Sequence, residues 1–434
     1  MLFKEFRIGG NTMSEEQMGG NFAALGQRLG RIKTAVALGQ PDRVPVQPFF
    51  DGIITRYTGG SYEDHFYNFE KAGNCAIEFL KRYPNVDAGC VPLFYSGPAN
   101  ELAGTRIIDW PGRPGSKVDK YSTHQIHEIA FMEQEEYPEL LSDYTGFMLR
   151  KYIPRAFPNI QGTQNIVFAD GTILDSSALN GLYNPQTLEA IDLLRKIGEE
   201  NAKAFEATMK FSGIIAGMGY PGMITGISEA PYDILGDYFR GTLGIFEDVT
   251  DEDILPYVEE TVNRFADMQI ARLQYLRFVD IPFKSIFFPL HKGMDGFLSE
   301  SLYEKLYWKP LKKIIMALID MGDVLPYIYT EGPYDTRLDF LTDVPAGKVL
   351  YHFEKVDMKR AKEKLSGIAC ISGNLSISRM EFGTKQQIID DTKYLLDTCA
   401  PGGGYIFDFD GSLENAKEEN LDAMFETLEL YGKY

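Results

Sequence analysis

VLPYIYTEGPYDTRLDFLTDVPAGKVLYHF, residues 324–353, decides the fold. It opens on the apolar strand Val324–Thr330, passes through a short helix around Thr336–Leu341, and closes on the strand Lys348–Phe353. Strands joined through a helix run parallel by a right-handed crossover. The same alternation continues in both directions. Upstream, Phe283–Leu290 reads as a strand and Ser301–Met321 as a helix, with Ser301 and Glu304 as a capping box, Pro310 as a kink and Gly322 as a stop. Downstream, helices at Met358–Leu365, Lys385–Thr398 and Ala416–Tyr431 interleave with strands at Gly367–Ser372 and Tyr405–Phe409. This repetition predicts an α/β protein with a parallel sheet. Periodicity does not separate a closed barrel from an open, doubly wound sheet.

The first half is less regular. Helical spacing is evident over Phe22–Leu38, Tyr62–Arg82, Glu128–Leu140, Asp143–Phe157 and Pro185–Lys210, and a short strand, Val44–Phe50, is interrupted by Pro45 and Pro48. Val91–Gln125, rich in Gly and Pro, reads as a long excursion. Residues 1–24 read as a flexible leader and 25–434 as a single domain, since no interdomain linker stands out.

The 434 residues are 44% hydrophobic and 13% aromatic, which supplies a core and excludes global disorder. A net charge of -19 disfavours nucleic acid and anionic membranes as partners. Gly213–Ile227 lacks charge but is too short and too broken by Gly and Pro to cross a membrane. Cys75, Cys90, Cys370 and Cys399 are scattered without metal-binding spacing and read as reduced thiols, and no secretory signal is seen, so a soluble, cytoplasmic protein is expected.

In either parallel architecture, chemistry gathers at the C-terminal ends of the strands. That rule selects His291, Glu331, His352 and Glu354, Cys370 and Asn374, then Asp408 and Asp410. Glu331, His352 and Cys370 supply oxygen, nitrogen and sulfur from successive strand ends, a set suited to Zn²⁺ with a fourth position open to substrate. Against this stand ordinary roles: a buried thiol for Cys370, a hydrogen-bonded interior residue for His352, a helix cap for Glu331. The segment Glu229–Asp233, continuing to Asp237 and Arg240, is a candidate substrate or partner loop, or simply a capped helix start. Gly217-Met218-Gly219-Tyr220-Pro221-Gly222 matches the dinucleotide fingerprint but opens no helix, and is read as a loop.

Arg43-Val44-Pro45-Val46, Ile371-Ser372-Gly373-Asn374, and Gly402–Tyr405 followed by Glu418-Glu419-Asn420 resemble the uroporphyrinogen decarboxylase superfamily, from about Leu29 onward. The resemblance implies a (β/α)8 TIM barrel, here with an N-terminal extension and inserted loops. The decarboxylases bind a substrate rich in carboxylates with an arginine-rich loop. Here the corresponding Pro48–Arg56 carries one arginine and the acidic Asp51, so that activity is disfavoured. The coenzyme M methylases of the superfamily use an H-x-C pair where this chain has Tyr329-Thr330-Glu331. The chain looks more like the O-demethylase branch, which moves a methyl group from a phenyl methyl ether to a corrinoid protein. By that resemblance Glu331 and His352, completed by Cys370 or an acid, would hold Zn²⁺, and Tyr329, His291 or Asp408 would orient substrate or deliver a proton. Asn374, Arg240 and Glu229 would contact the small methylated substrate, and a partner protein would bring the corrinoid. The alternatives are a carboxy-lyase acting on a smaller acid, and a non-catalytic barrel that binds a corrinoid protein.

Overall fold

A computed structural model of the chain describes residues 7–8, 11–12, 15–88, 91–166 and 175–434. Six parallel strands form its central sheet: β1 (Gly226–Ile227), β2 (Lys284–Leu290), β3 (Val324–Pro333), β4 (Leu350–Lys355), β5 (Cys370–Ser372) and β6 (Tyr405–Ile406). Neighbours in space follow neighbours in sequence, as successive right-handed crossovers require. Beyond β6 the round continues through Val46, bridged in parallel to Phe407, and through Asp87, whose N–H donates to the Val46 carbonyl at 2.7 Å. Pro45 and Pro48 explain why the first segment pairs at only a few positions, since proline has no N–H to give the ladder. Among the described residues no ladder joins the Asp87 segment to β1.

Register sorts the interior into layers. Phe287, Tyr327, Leu350 and Cys370 are Cα partners at one level, and Pro289, Tyr329, His352 and Ser372 at the next. The lower level belongs to an apolar cluster with Ala88, Met223 and Ile406. Ile32, Ala35 and Val36 of helix α1 (Glu15–Val36) join that cluster and plug the barrel floor. The larger core lies outside, between the sheet and its helices, among them α2 (Pro185–Gly217), α3 (Leu255–Leu273), α4 (Lys309–Ile319) and α5 (Glu418–Tyr431).

Several local expectations are corrected. Helix α1 begins at Glu15, inside the stretch read as leader, while residues 1–6, 9–10 and 13–14 of that stretch lie outside the described ones. The cap before α4 is Ser299, whose hydroxyl accepts from Leu302 N–H at 3.3 Å, not Ser301. Pro310 produces a π-helical turn over Tyr303–Trp308, a wider turn that accommodates the missing N–H. Gly217 ends α2 and the following residues form a loop, as read from the sequence. Cys75, Cys370 and Cys399 are free and buried, and Cys90 lies outside the described residues. No described helix is long and apolar enough to cross a membrane.

Asp87 ties the first segments of the barrel together. Its fully buried carboxylate accepts from Val46 N–H at 2.9 Å and from Arg43 at 2.6 and 2.9 Å, and pairs with Arg31 at 3.0 Å. Asp87→Ala leaves the Arg43 guanidinium without a carboxylate, strands a strand N–H and takes one of two carboxylate partners from Arg31, which keeps Asp42, and should destabilise the fold by about 2–4 kcal/mol. Urea unfolding checks this; a loss under about 1 kcal/mol would make the pairing incidental.

Candidate functional site

Two distinct groupings occupy the C-terminal face of the sheet. The first is a charged rim beyond β1, β2 and β3. Helical turns over Pro231–Ile234 and Leu235–Arg240 carry Asp233 and Asp237 toward the end of β2. Asp233 accepts the backbone N–H groups of His291 and Lys292 at 3.0 and 2.9 Å and the Tyr307 hydroxyl at 2.6 Å, so it fixes the turn after the strand. Asp237 accepts from His291 Nδ1 at 2.6 Å and from the buried Lys292 ammonium. His291 Nε2 faces Glu331 Oε1 at 3.6 Å. Beside them, Glu229 accepts from the Tyr238 hydroxyl at 2.7 Å through Oε1, while Oε2 is buried without a partner. Burial pushes Glu229 up to about 7 and raises Glu331 as well. Burial alone would lower His291, but the Asp237 hydrogen bond and the surrounding carboxylates raise it to about 10.

The second grouping is a cavity of about 340 Å³ between the first barrel segment, residues 91–95, the loop before β1, and α2. Phe49, Phe50, Phe94, Tyr95 and Tyr327 contribute rings to its walls, and Phe49 stacks on Phe287 at 5.7 Å. No Lys or Arg is among its described lining residues. Its basic side chain, His65, is buried between Thr55 Oγ1 and the Leu93 carbonyl, and burial lowers it to about 4, so it is neutral. Behind the cavity lies Asp408, buried at the end of β6. Its Oδ1 accepts from Phe49 N–H at 2.7 Å and Phe409 N–H at 2.8 Å, and its Oδ2 accepts from the Tyr327 hydroxyl at 3.3 Å. Burial outweighs these bonds and pushes Asp408 up to about 8, a carboxyl that is mostly protonated at neutral pH.

The expected zinc set does not come together. Cys370 is level with Tyr327, four residues below Glu331 along the strand direction, or roughly 13 Å. Its thiol is fully buried in the apolar layer, and burial pushes it far above the ordinary thiol range. His352 sits two residues below Glu331, stacked on Tyr329 at 3.8 Å, and its Nε2 is taken by the Phe409 carbonyl at 2.8 Å. Burial lowers it to about 3, and its Nδ1 has no partner. Among the described residues no three His, Cys, Asp or Glu side chains converge to hold a metal. A zinc ion held by Glu331, His352 and Cys370 therefore does not fit this arrangement. The strand-end rule picks residues by sequence and ignores register, which is where it failed.

Arg240 is likewise corrected. Its guanidinium forms a buried pair with Asp248 at 2.6 and 2.9 Å and donates to the Met132 carbonyl at 2.6 Å, with Tyr137 completing the network on Asp248 at 2.6 Å. Each of its three nitrogens is engaged within the protein, and the residue braces the fold. Asn374 gives its amide to the Glu354 and Val356 carbonyls at 3.1 and 3.0 Å, pinning the end of β4. Tyr329 faces the interior with its hydroxyl buried and unpartnered. Sequence reading missed Lys292, Tyr327, Gln47 and the cavity role of Asp51. Tyr327 was signalled by its spacing, two residues before Tyr329 on the same strand face.

The family described as Uroporphyrinogen decarboxylase (URO-D) matches over residues 255–431. This bears out the resemblance read from the late motifs, though over a shorter span than the motifs suggested. Among solved structures, a methyltransferase from Methanosarcina mazei is similar, with a TM-score of 0.55 and 14% identity over 92% of this chain and 98% of that one. The likeness is one of fold, and it agrees with the barrel expected from the sequence. No curated protein matches in sequence.

The His291–Asp237 pair makes a direct prediction. A His whose folded pKa of about 10 exceeds the ordinary 6.5 contributes stability that is complete below about 6.5 and lost as pH rises through about 10. By NMR, the His291 ring should remain an imidazolium between about pH 6 and 8, and Asp237→Asn should bring its titration down toward the ordinary range. A wild-type ring that titrates near 6.5 would contradict the arrangement.

Proposed function

We propose that the chain is a methyltransferase that takes a methyl group from a small methylated molecule bound in the ring-lined cavity, an aromatic methyl ether, and passes it to a corrinoid protein. The observation that carries this reading is the cavity itself, an apolar chamber at the C-terminal face with a protonated carboxyl behind it and no Lys or Arg in its described lining. A substrate rich in carboxylates would need cationic partners that this lining lacks, which weighs against the decarboxylase alternative. The fold likeness to the Methanosarcina mazei methyltransferase is consistent with the reading. No step is assigned to zinc, because the expected ligands do not converge.

A reduced corrinoid on the partner protein supplies the two-electron nucleophile that accepts the methyl group. The protein's own part concerns the oxygen left behind. When the methyl carbon–oxygen bond breaks, its electron pair stays on oxygen, and a phenolate in an apolar chamber is costly unless charge is neutralised. Tyr327 lines the chamber, so its hydroxyl donates a proton to that oxygen, and Asp408 replaces that proton through the 3.3 Å contact. Phe49 N–H and Phe409 N–H hold Oδ1 and leave Oδ2 facing Tyr327, which fixes the direction of transfer.

The groups around Asp408 that titrate or carry charge are Tyr327, Tyr329, Tyr405, Asp410 and His352, the last 3.7 Å from Oδ2 and neutral. With a reduced corrinoid protein and a phenyl methyl ether, the methyl-transfer rate should fall as pH rises through about 8, where Asp408 loses its proton. Asp408→Asn should lower the rate by about 10²- to 10⁴-fold and abolish that pH dependence. Methyl–cobalt formation in single turnover is the readout. Wild-type rates that are flat across this range would rule out the proton relay. Absence of any methyl transfer, with carbon dioxide released from a small acid, would instead support the lyase.

A further inference from the structure

The cavity is one-sided in its polar chemistry. Gln47, 6% exposed, lines it with Oε1 buried and without a partner. Asp51 also lines it and enters no ion pair with a Lys or Arg among the described residues. Burial, and then the neighbouring Glu414 carboxylate, push Asp51 up to about 7, opposed only by the Tyr62 hydroxyl. Arg56, further along the same segment, lies over the Tyr121 ring at 4.7 Å and is not part of the lining. His65 is neutral, as shown above. The chamber thus offers a carboxyl and a bare carbonyl oxygen, with no charged donor to satisfy either. Gln47 Oε1, buried without a donor, costs roughly 1–3 kcal/mol, and Asp51 has the Tyr62 hydroxyl but no counter-charge, so a cationic donor on the ligand satisfies both.

The geometry points to a substrate of defined class: we propose that the chamber takes an aromatic methyl ether that also carries a protonated amine, with the ammonium on Asp51 and Gln47 and the ring among Phe49, Phe94, Tyr95 and Tyr327. This rests on the methyltransferase reading and adds to it the charge of the substrate. The aromatic walls serve both halves of such a molecule, since they pack on its ring and attract its cation through their faces. The ammonium gives Asp51 the counter-charge that the protein withholds. A ring ending in a carboxylate meets the Asp51 carboxyl and no Lys or Arg to neutralise it, and is disfavoured. The net charge of -19 favours approach of a cation over an anion in the same sense.

Three probes with one ring separate the possibilities: para-methoxyphenethylamine, the neutral para-ethylanisole, and the anionic para-methoxyhydrocinnamate, each titrated by calorimetry into the full chain. The ammonium probe should bind about 10- to 100-fold more tightly than the neutral one, and the anion most weakly. Asp51→Asn should remove most of that preference while leaving the neutral probe unchanged, which also shows that the variant is folded. Gln47→Leu should weaken the ammonium probe alone, by a smaller factor. Equal binding of ammonium and neutral probes, preference for the anion, or an Asp51→Asn loss shared by all probes would each overturn the proposal. Binding is read without methyl transfer, so an ammonium preference in a protein that transfers no methyl group would sink the proposed activity while leaving the charge selection standing.

Discussion

The hydrogen bonds on Asp408 are the constraint on which the rest depends. A parallel sheet built in sequence order leaves its first and last strands to find each other. Here the last strand end reaches the first segment through Phe407 and Val46, and Asp408 then takes Phe49 N–H at 2.7 Å. That bond lies where two prolines have removed ladder donors, so a side chain performs what backbone pairing does elsewhere in the round. It also places the Phe49 ring against Phe287 and Tyr329, and thereby forms one wall of the chamber. Joining the last strand to the first segment and building this wall of the cavity are the same event.

The two groupings at the strand ends differ in how they treat charge. At the rim, carboxylates and cations are matched in a tight network: Asp237 with His291 and Lys292, Asp233 with two backbone N–H groups and a tyrosine. Such a network orders the turn after β2, while Glu229 beside it keeps one oxygen without a partner and is pushed up to about 7. In the chamber, Asp408 and Asp51 stand without cations, and burial moves both toward or above neutrality. Groups poised in this way suit proton transfer and ligand recognition, whereas the rim suits rigidity.

How much of this was legible in the sequence depended on whether the signal was local. The strands of the second half fall within a few residues of their expected positions, because each is an apolar run bounded by Gly or a helix start. The first half was harder, since its pairing is by isolated bridges and its helices are broken by caps such as Asn68 between Asp64–Tyr67 and Phe69–Arg82. The metal set was misread for want of register: Glu331 lies near the end of its strand, His352 inside its own and Cys370 at the start of its own, so they sit at three different levels of the barrel. Asp408 was correctly placed at a strand end, but its partner Phe49 lies on the opposite side of the chain order, so no spacing pointed to the bond. Asp51 was visible as an acid in the stretch that the resemblance sets against the decarboxylases' arginine-rich loop, and that departure acquires meaning only once Gln47 and the rings are seen around it.

The proposed reaction takes place in the chamber and not at the rim. Ser212 of α2 lines the chamber and takes no part in the rim network. Replacing it by tryptophan fills the space with a ring while leaving Asp408, Tyr327 and the His291 cluster intact. Single-turnover methyl transfer should then be lost for every donor, with the helical circular dichroism of the protein preserved. A folded Ser212→Trp protein that transfers methyl at the wild-type rate would place the reaction elsewhere and contradict the account.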